Sequence, residues 1–166
     1  MKKMVLGLIL LISSNIQAQT YSSVIKDSVI FDFLDKTIKV NYHGRSLLVN
    51  NHILGPLDTS DLKQILIAGF FSKADSDFLA QQIKGGKKEN WGRPFGRNKL
   101  VKNVPPYPSS TIYSFSVPLF SSDKKHAMVI EAFFCGIVCG GGAYYIYELE
   151  ADGTWKRVKK FKEWAE

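Results

Sequence analysis

Apolar residues recur along this chain with two different periods, and the change of period predicts its elements. Between Tyr21 and Lys36, the residues Val24, Ile25, Val29, Ile30, Phe33 and Leu34 return every three to five positions. That spacing predicts an amphipathic helix over 21–36, with Ser22 and Ser23 as available N-caps. From Ile38 the period falls to two, since Ile38, Val40 and Tyr42 alternate with Lys39 and Asn41. A strand there, a His43–Gly44 turn, a strand at Arg45–Val49, an Asn50–Asn51 turn and a third strand at His52–Leu54 form a predicted meander, because Asn accepts the positive φ of tight turns. Gln64 to Phe71 reads as strand. Ser72-Lys73-Ala74-Asp75 has the form of a capping box with Asp in the acidic position, and opens a helix over 73–84 that carries Phe78, Leu79 and Ile83 and stops at Gly85–Gly86.

Gly85 to Ser110 has no period and holds four of the six prolines, so it reads as a long loop. Beyond it Tyr113, Phe115, Val117 and Leu119 alternate with Ser114 and Ser116, which marks a half-buried strand. Ala127 to Phe134 is apolar on both faces except at Glu131, as a central strand would be. Ala143 to Leu149 alternates again, and Asp152–Gly153 predicts a hairpin into Trp155–Phe161. The expected fold is α+β: an antiparallel sheet dominated by a C-terminal four-stranded meander over 111–161, with the two helices packed on one face. The tail through Trp164 is expected to fold back and bury that ring.

The N-terminus changes the setting. Lys2 and Lys3 precede the apolar run Met4–Ile12, followed by Ser13-Ser14-Asn15 and Ala18, the parts of a secretory signal peptide. The run is too short to span a bilayer, which takes roughly 20 apolar residues, and no Cys follows it for lipid attachment. The chain therefore divides into a signal peptide, 1–18, and a single domain, 19–166, expected to be exported to the periplasm or beyond, with no transmembrane segment after cleavage. Removing 18 of 166 residues leaves 148, enough for one core. A hydrophobic fraction of 45% with 22% charged residues excludes disorder. The net charge of +7 includes Lys2 and Lys3, so the exported part carries +5 and favours acidic partners.

Export frames the reading of Cys135 and Cys139, the only two cysteines. A disulfide is the first expectation, and a redox or metal role is disfavoured because the spacing is not C-x-x-C and no second ligand pair exists. Four residues of extended strand span about 13 Å, well past the ~7 Å limit for a bridge, so the chain must turn between the two thiols. Gly140-Gly141-Gly142 lacks the Gly-Lys-Ser/Thr of a phosphate loop and reads as a turn beside the staple. The stretch 84–99 concentrates Lys87, Lys88, Arg93 and Arg97 around Trp91 and Phe95. Cations beside rings suit an acidic ligand, so Lys87, Lys88, Trp91, Arg93 and Arg97 are the candidate binding residues; the competing reading places both rings in the core.

No catalytic motif appears. His43, His52 and His126 share no metal-ligand spacing, and no cofactor is indicated. Asp58 and Asp61 read as turn and cap residues before they read as an acid/base pair. Glu131 is one charge in an apolar strand; solvent exposure is the simpler expectation, and burial would require a partner, for which Arg157 is placed across the sheet.

Finally, Ser116-Val117-Pro118-Leu119-Phe120-Ser121, Asp123-Lys124-Lys125, Cys135-Gly136, Cys139-Gly140, Trp155-Lys156 and Trp164 together resemble a group of small exported proteins of Bacteroidetes-type bacteria. The likeness covers about fifty residues, roughly Ser114 to Trp164. It implies export and a single α+β domain, and carries no catalytic or binding residue with it. The function expected from the whole sequence is a non-catalytic binding protein whose partner is an acidic glycan, an envelope component or a protein rather than nucleic acid. The alternatives are an envelope hydrolase using Glu131 or Asp58/Asp61, and an inhibitor or immunity-type protein holding one protein partner.

Overall fold

A computed structural model of the chain describes residues 20–55, 62–63, 65–66 and 68–165. The expected signal peptide and the Asp58/Asp61 pair lie outside the described residues. Helix α1 spans Asp27–Asn41 and helix α2 spans Asp75–Gly85. The strands are β1 (Leu48–Asn50), β2 (Lys99–Val101), β3 (Ile112–Phe115), β4 (Leu119–Phe120), β5 (His126–Gly136), β6 (Cys139–Leu149) and β7 (Trp155–Ala165). They form one sheet in the order β2-β1-β3-β5-β6-β7, with β4 also paired to β5.

The antiparallel run β3-β5-β6-β7 is the meander read from the sequence, but the sheet is mixed, because β1 pairs in parallel with both β2 and β3. The N-terminal meander is not formed. Residues 38–41 continue α1, whose buried residues Ile30, Phe33, Leu34, Thr37 and Ile38 hold one helical stripe past the predicted end. His43 and Gly44 do turn the chain, with φ of 51° and 70°, but they end a helix. Gly44 N–H donates to the Lys39 carbonyl at 2.8 Å and His43 N–H to that of Val40 at 3.3 Å, the paired bonds of a Schellman C-cap. At the other end the helix starts later than expected. Ser22 Oγ accepts from the N–H of Ile25 at 3.2 Å in a local turn before it. His52 contributes one bridge, to Asn90, instead of a third strand. Ile65 and Leu66 are helical where a strand was expected from Gln64, as are Leu62 and Lys63 just before them.

The helices cover both faces of the sheet, not one. Alternate residues of β5 point opposite ways, and Ala127 and Val129 pack with Ile30, Phe33 and Leu34 of α1, whereas Met128 and Ile130 pack with Leu79 of α2 and with Leu62 and Ile65. On the α1 face, Phe33 meets Phe120, Tyr147 and Trp155 edge-on with centroids 5.0–5.5 Å apart, the preferred geometry for ring pairs. The reciprocal bonds of the capping box form, but α2 begins at Asp75, two residues later than expected, with Ala74 at its N-cap. Ser72 N–H and Oγ both donate to Asp75 Oδ2, at 2.8 and 2.7 Å, and Asp75 N–H returns a bond to Ser72 Oγ at 3.3 Å. Asp75 Oδ1 accepts from Ser122 N–H and Oγ at 2.8 and 2.6 Å, which ties α2 to the turn after β4.

Cys135 and Cys139 are joined by a disulfide with Cα atoms 5.1 Å apart. The turn it closes is Ile137–Val138, and Gly140–Gly142 belong to β6 rather than to a loop. Two of them allow close approach: a Cβ would stand 2.7 Å from the Trp164 carbonyl at Gly141 and 2.3 Å from Cζ2 of Trp164 at Gly142. Strand β7 runs on to Ala165, so the tail does not fold back, and Trp164 stays 38% exposed across Gly142.

Candidate functional site

A cavity of about 490 Å³ opens on the surface, within the ~300–1,000 Å³ of small-molecule sites. It lies where the two core clusters meet. Strands β3 and β4 lie along the same side of β5, separated by Ser116-Val117-Pro118. Ser116 holds the break in place. Its N–H donates to the Ile130 carbonyl at 3.0 Å, and its hydroxyl accepts from Ile130 N–H at 2.9 Å. The proline has no N–H to continue the ladder, so Val117 and Pro118 leave the sheet and form one wall.

Ile53 and Leu54, Ile83 and Leu119, and Tyr21 and Ser22 complete the lining, and Leu54 N–H ties its segment to the Phe115 carbonyl at 3.0 Å. Gln82 fixes α2 against β4 as a strand neighbour would. Its Nε2 donates to the Phe120 carbonyl at 2.7 Å, and its Oε1 accepts from Phe120 N–H at 2.9 Å. The mouth carries His52, Lys87 and Glu89. Its backbone is pinned: Lys87 N–H donates to Thr20 O at 3.2 Å, Ile53 N–H to Glu89 O at 2.8 Å, and Trp91 N–H to Asn51 O at 2.9 Å. Apolar walls with a few polar groups at a fixed rim can hold an apolar body and orient one charged group.

The candidate residues of the 84–99 stretch separate. Lys87 is exposed at the mouth. Lys88 also lines the cavity, but its Nζ is 2.9 Å from Asp27 and 4.0 Å above the Tyr21 ring. Trp91 is core, with Tyr21, Phe31 and Phe95 at centroid distances of 5.3, 6.1 and 5.2 Å, which leaves its ring no open face for a ligand. Arg93 lies 3.9 Å over Phe31, spent on the outside of the same cluster. Arg97 is exposed elsewhere, its carbonyl accepting from Ser46 Oγ at 2.6 Å. The basic, aromatic composition therefore builds a core corner with two cations at a cavity, Lys87 and the Asp27-paired Lys88. What the sequence hid is the cavity itself, whose lining comes from four separated segments: 21–22, 52–55, 82–89 and 116–119.

Glu131 is buried, at 7% exposure, against the expectation of a solvent-facing position. Its companion is the anticipated one. Arg157 Nη2 donates to Oε2 at 2.8 Å, Tyr42 Oη donates to Oε2 at 3.0 Å, and Tyr147 Oη donates to Oε1. Arg157 also donates to Tyr147 Oη from Nε and Nη2, at 3.1 and 2.9 Å, and lies 3.8 Å over Tyr145. Burial, followed by the Glu131 charge, pushes the Tyr42 and Tyr147 hydroxyls far above their ordinary range, so both remain protonated donors. Burial opposes the Arg157 charge, and Glu131 more than restores it. Three donors hold the carboxylate, which also borders a smaller opening of about 140 Å³ beside Tyr42, Tyr113 and Tyr145, and the network clasps α1, β5, β6 and β7 together.

Among the described residues no group of three or more His, Cys, Asp or Glu side chains is placed to hold a metal ion, and no helix is long and apolar enough to cross a membrane. No family model matches the chain, and no curated protein or solved structure matches it either.

Proposed function

We propose that the chain is an exported, non-catalytic binding protein that takes a small amphipathic acid into the 490 Å³ cavity between α2, the 52–55 segment and the β3–β4 break. The observation that carries the reading is the pairing of apolar walls with Lys87 at a rim held by three backbone bonds. The apolar body lies against Ile53, Leu54, Val117, Pro118 and Leu119, and the acidic head meets Lys87 beside His52, with Glu89 free to accept from a hydroxyl on the ligand. An acidic glycan fits these walls less well, because its hydroxyls would face side chains that offer them no hydrogen bonds. The saturated surroundings of Glu131 count against the hydrolase alternative. The disulfide and the signal-like N-terminus support an oxidising compartment outside the cytoplasm.

Titration calorimetry with decanoate, with decanol as the uncharged control, tests the reading. Wild type should bind decanoate about tenfold or more tightly than decanol, and Lys87→Ala should bring the two together, since one charge-assisted bond is worth about 1.5–3 kcal/mol. Equal binding of acid and alcohol by wild type, or decanoate binding that survives filling the cavity by Val117→Trp, would defeat it.

A further inference from the structure

The β5–β6 hairpin carries a second surface that the cavity does not explain. At this end of the sheet Ile112 pairs with Phe134, Leu48 pairs with both Ile112 and Lys99, and Gly141 pairs with Ala165. The hairpin passes the start of β3 by two residues on β5 before it turns, a protrusion of about 7 Å. Its tip is apolar and open to solvent: Ile137 is 58% exposed and Val138 83%. Phe133, 41% exposed, and Trp164 stand just behind them.

These are the wrong residues for a solvent-facing turn. Two-residue hairpin turns favour Asn, Asp and Gly, and β-branched side chains resist the conformations required. The Cys135–Cys139 bridge holds the turn closed without help from the residues inside it. The tip is thus held rigid by covalent chemistry, and its side chains make no core.

Basic residues surround it. Arg45 follows α1 into β1, Arg97 is bonded through its carbonyl to Ser46, and Lys99 opens β2 with its N–H on Leu47 O at 2.9 Å. All three side chains are exposed. On the far side β7 brings Lys160 and Lys162, of which Lys160 pairs with Glu163. Of the other acids in this region among the described residues, Asp35 accepts from Gly96 N–H beside Arg97, and Glu131 is buried and matched by Arg157. The balance at this end is positive.

From this we infer that the stapled hairpin is a lipid-docking tip, which seats Ile137 and Val138 in the interface of a membrane bearing anionic headgroups while Arg45, Arg97 and Lys99 meet the headgroups. The protrusion matches the ~5–10 Å to which interfacial elements sink, Trp164 stands at the level that aromatic side chains take in the headgroup layer, and each Lys or Arg near such a surface adds attraction. A protein partner would satisfy the apolar tip, but gives no reason for a collar in which cations outnumber acids. This inference does not depend on the cavity, which lies beyond the other end of β3.

The test is vesicle co-sedimentation with the protein starting at Gln19, which holds every described element. Vesicles of phosphatidylcholine alone are compared with 3:1 phosphatidylcholine and phosphatidylglycerol. Binding should be about tenfold tighter to the anionic vesicles and weaken in 0.5 M salt, as a Debye length of only a few ångströms requires. Trp91 and Trp155 are buried, so a blue shift of emission on binding reports Trp164. Ile137→Ser with Val138→Ser should cut vesicle binding about tenfold or more, and leave the thermal melt unchanged because both side chains face solvent. Arg97→Glu with Lys99→Glu should abolish the preference for anionic vesicles. Wild type that stays in the supernatant at millimolar lipid, vesicle binding unaffected by the serine pair, or a soluble protein that seats on the tip and excludes vesicles would each overturn the inference.

Discussion

Replacing Arg157 by Met tests whether the Glu131 cluster is structural. The substitution keeps much of the volume of the side chain and removes the only cation that touches the Glu131 carboxylate. Breaking a buried ion pair by removing one partner costs about 3–5 kcal/mol, because the other charge remains buried alone. Two features set the figure at the lower end. Tyr42 and Tyr147 still donate to the carboxylate, and Arg157 itself is partly exposed, which weakens the bond it gives up. The expected loss is about 3 kcal/mol, read as a shift of the urea midpoint at constant m-value. Glu131→Gln should cost a similar amount, since its amide presents donors to a guanidinium that has only donors. The double variant Glu131→Leu with Arg157→Met should recover most of the loss, because an apolar pair of matching size replaces ions at little net cost. Single variants that lose less than 1 kcal/mol, or a double variant that loses the sum of the two, would refute the reasoning. So would a catalytic defect in any envelope-polymer hydrolysis assay that appears in Glu131→Gln at full stability.

Three further predictions follow from other parts of the fold. Gly142→Val should destabilise by about 1–3 kcal/mol through its clashes with the Trp164 ring and the Glu131 carbonyl, and adding Trp164→Ala should relieve in thermal melts only the part due to the ring. Burial works to raise the Asp75 carboxyl, but the bonds from Ser122 and Ser72 hold it down at about 2; its contribution is therefore complete above pH ~4, lost as pH falls toward 2, and worth about 1 kcal/mol once solvent screening is allowed for, so the acid limb of the stability curve should flatten in Asp75→Asn. Opening the disulfide with Cys135→Ser and Cys139→Ser should cost about 2 kcal/mol, the loop-closure value for a ring this short, in chemical denaturation.

What could be read from the sequence divides by contact range. Strands β5, β6 and β7 are long, consecutive and joined by tight turns, so alternation and the Asp152–Gly153 signal sufficed; Gly153 takes a φ of 81° as that turn demands. The N-terminal half depends on distant partners. Ile38, Val40 and Tyr42 satisfy a strand period locally, and only the packing of Ile38 beside Phe33 and Leu34 on the sheet makes the stretch a helix. His43–Gly44 is ambiguous for the same reason, since positive φ serves a hairpin and a helix end alike. β1 and β2 are three residues each and pair across about fifty residues of chain, beyond the reach of any local pattern. The site follows the same rule. Glu131 and Arg157 were paired in prospect because a meander brings neighbouring strands together, whereas the cavity is assembled from four distant segments and left no local trace. For Trp91 the sequence allows both a ligand platform and a core ring, because composition records which residues are present, whereas burial is decided by where Tyr21 and Phe31 arrive.

A backbone amide NMR titration of the protein with decanoate shows directly whether the cavity is the binding site. The account predicts saturable shifts confined to residues 21–22, 52–55, 82–89 and 116–119, lost in Val117→Trp. Shifts centred on the 133–142 hairpin, or no shift at millimolar decanoate, would contradict a binding site in the cavity.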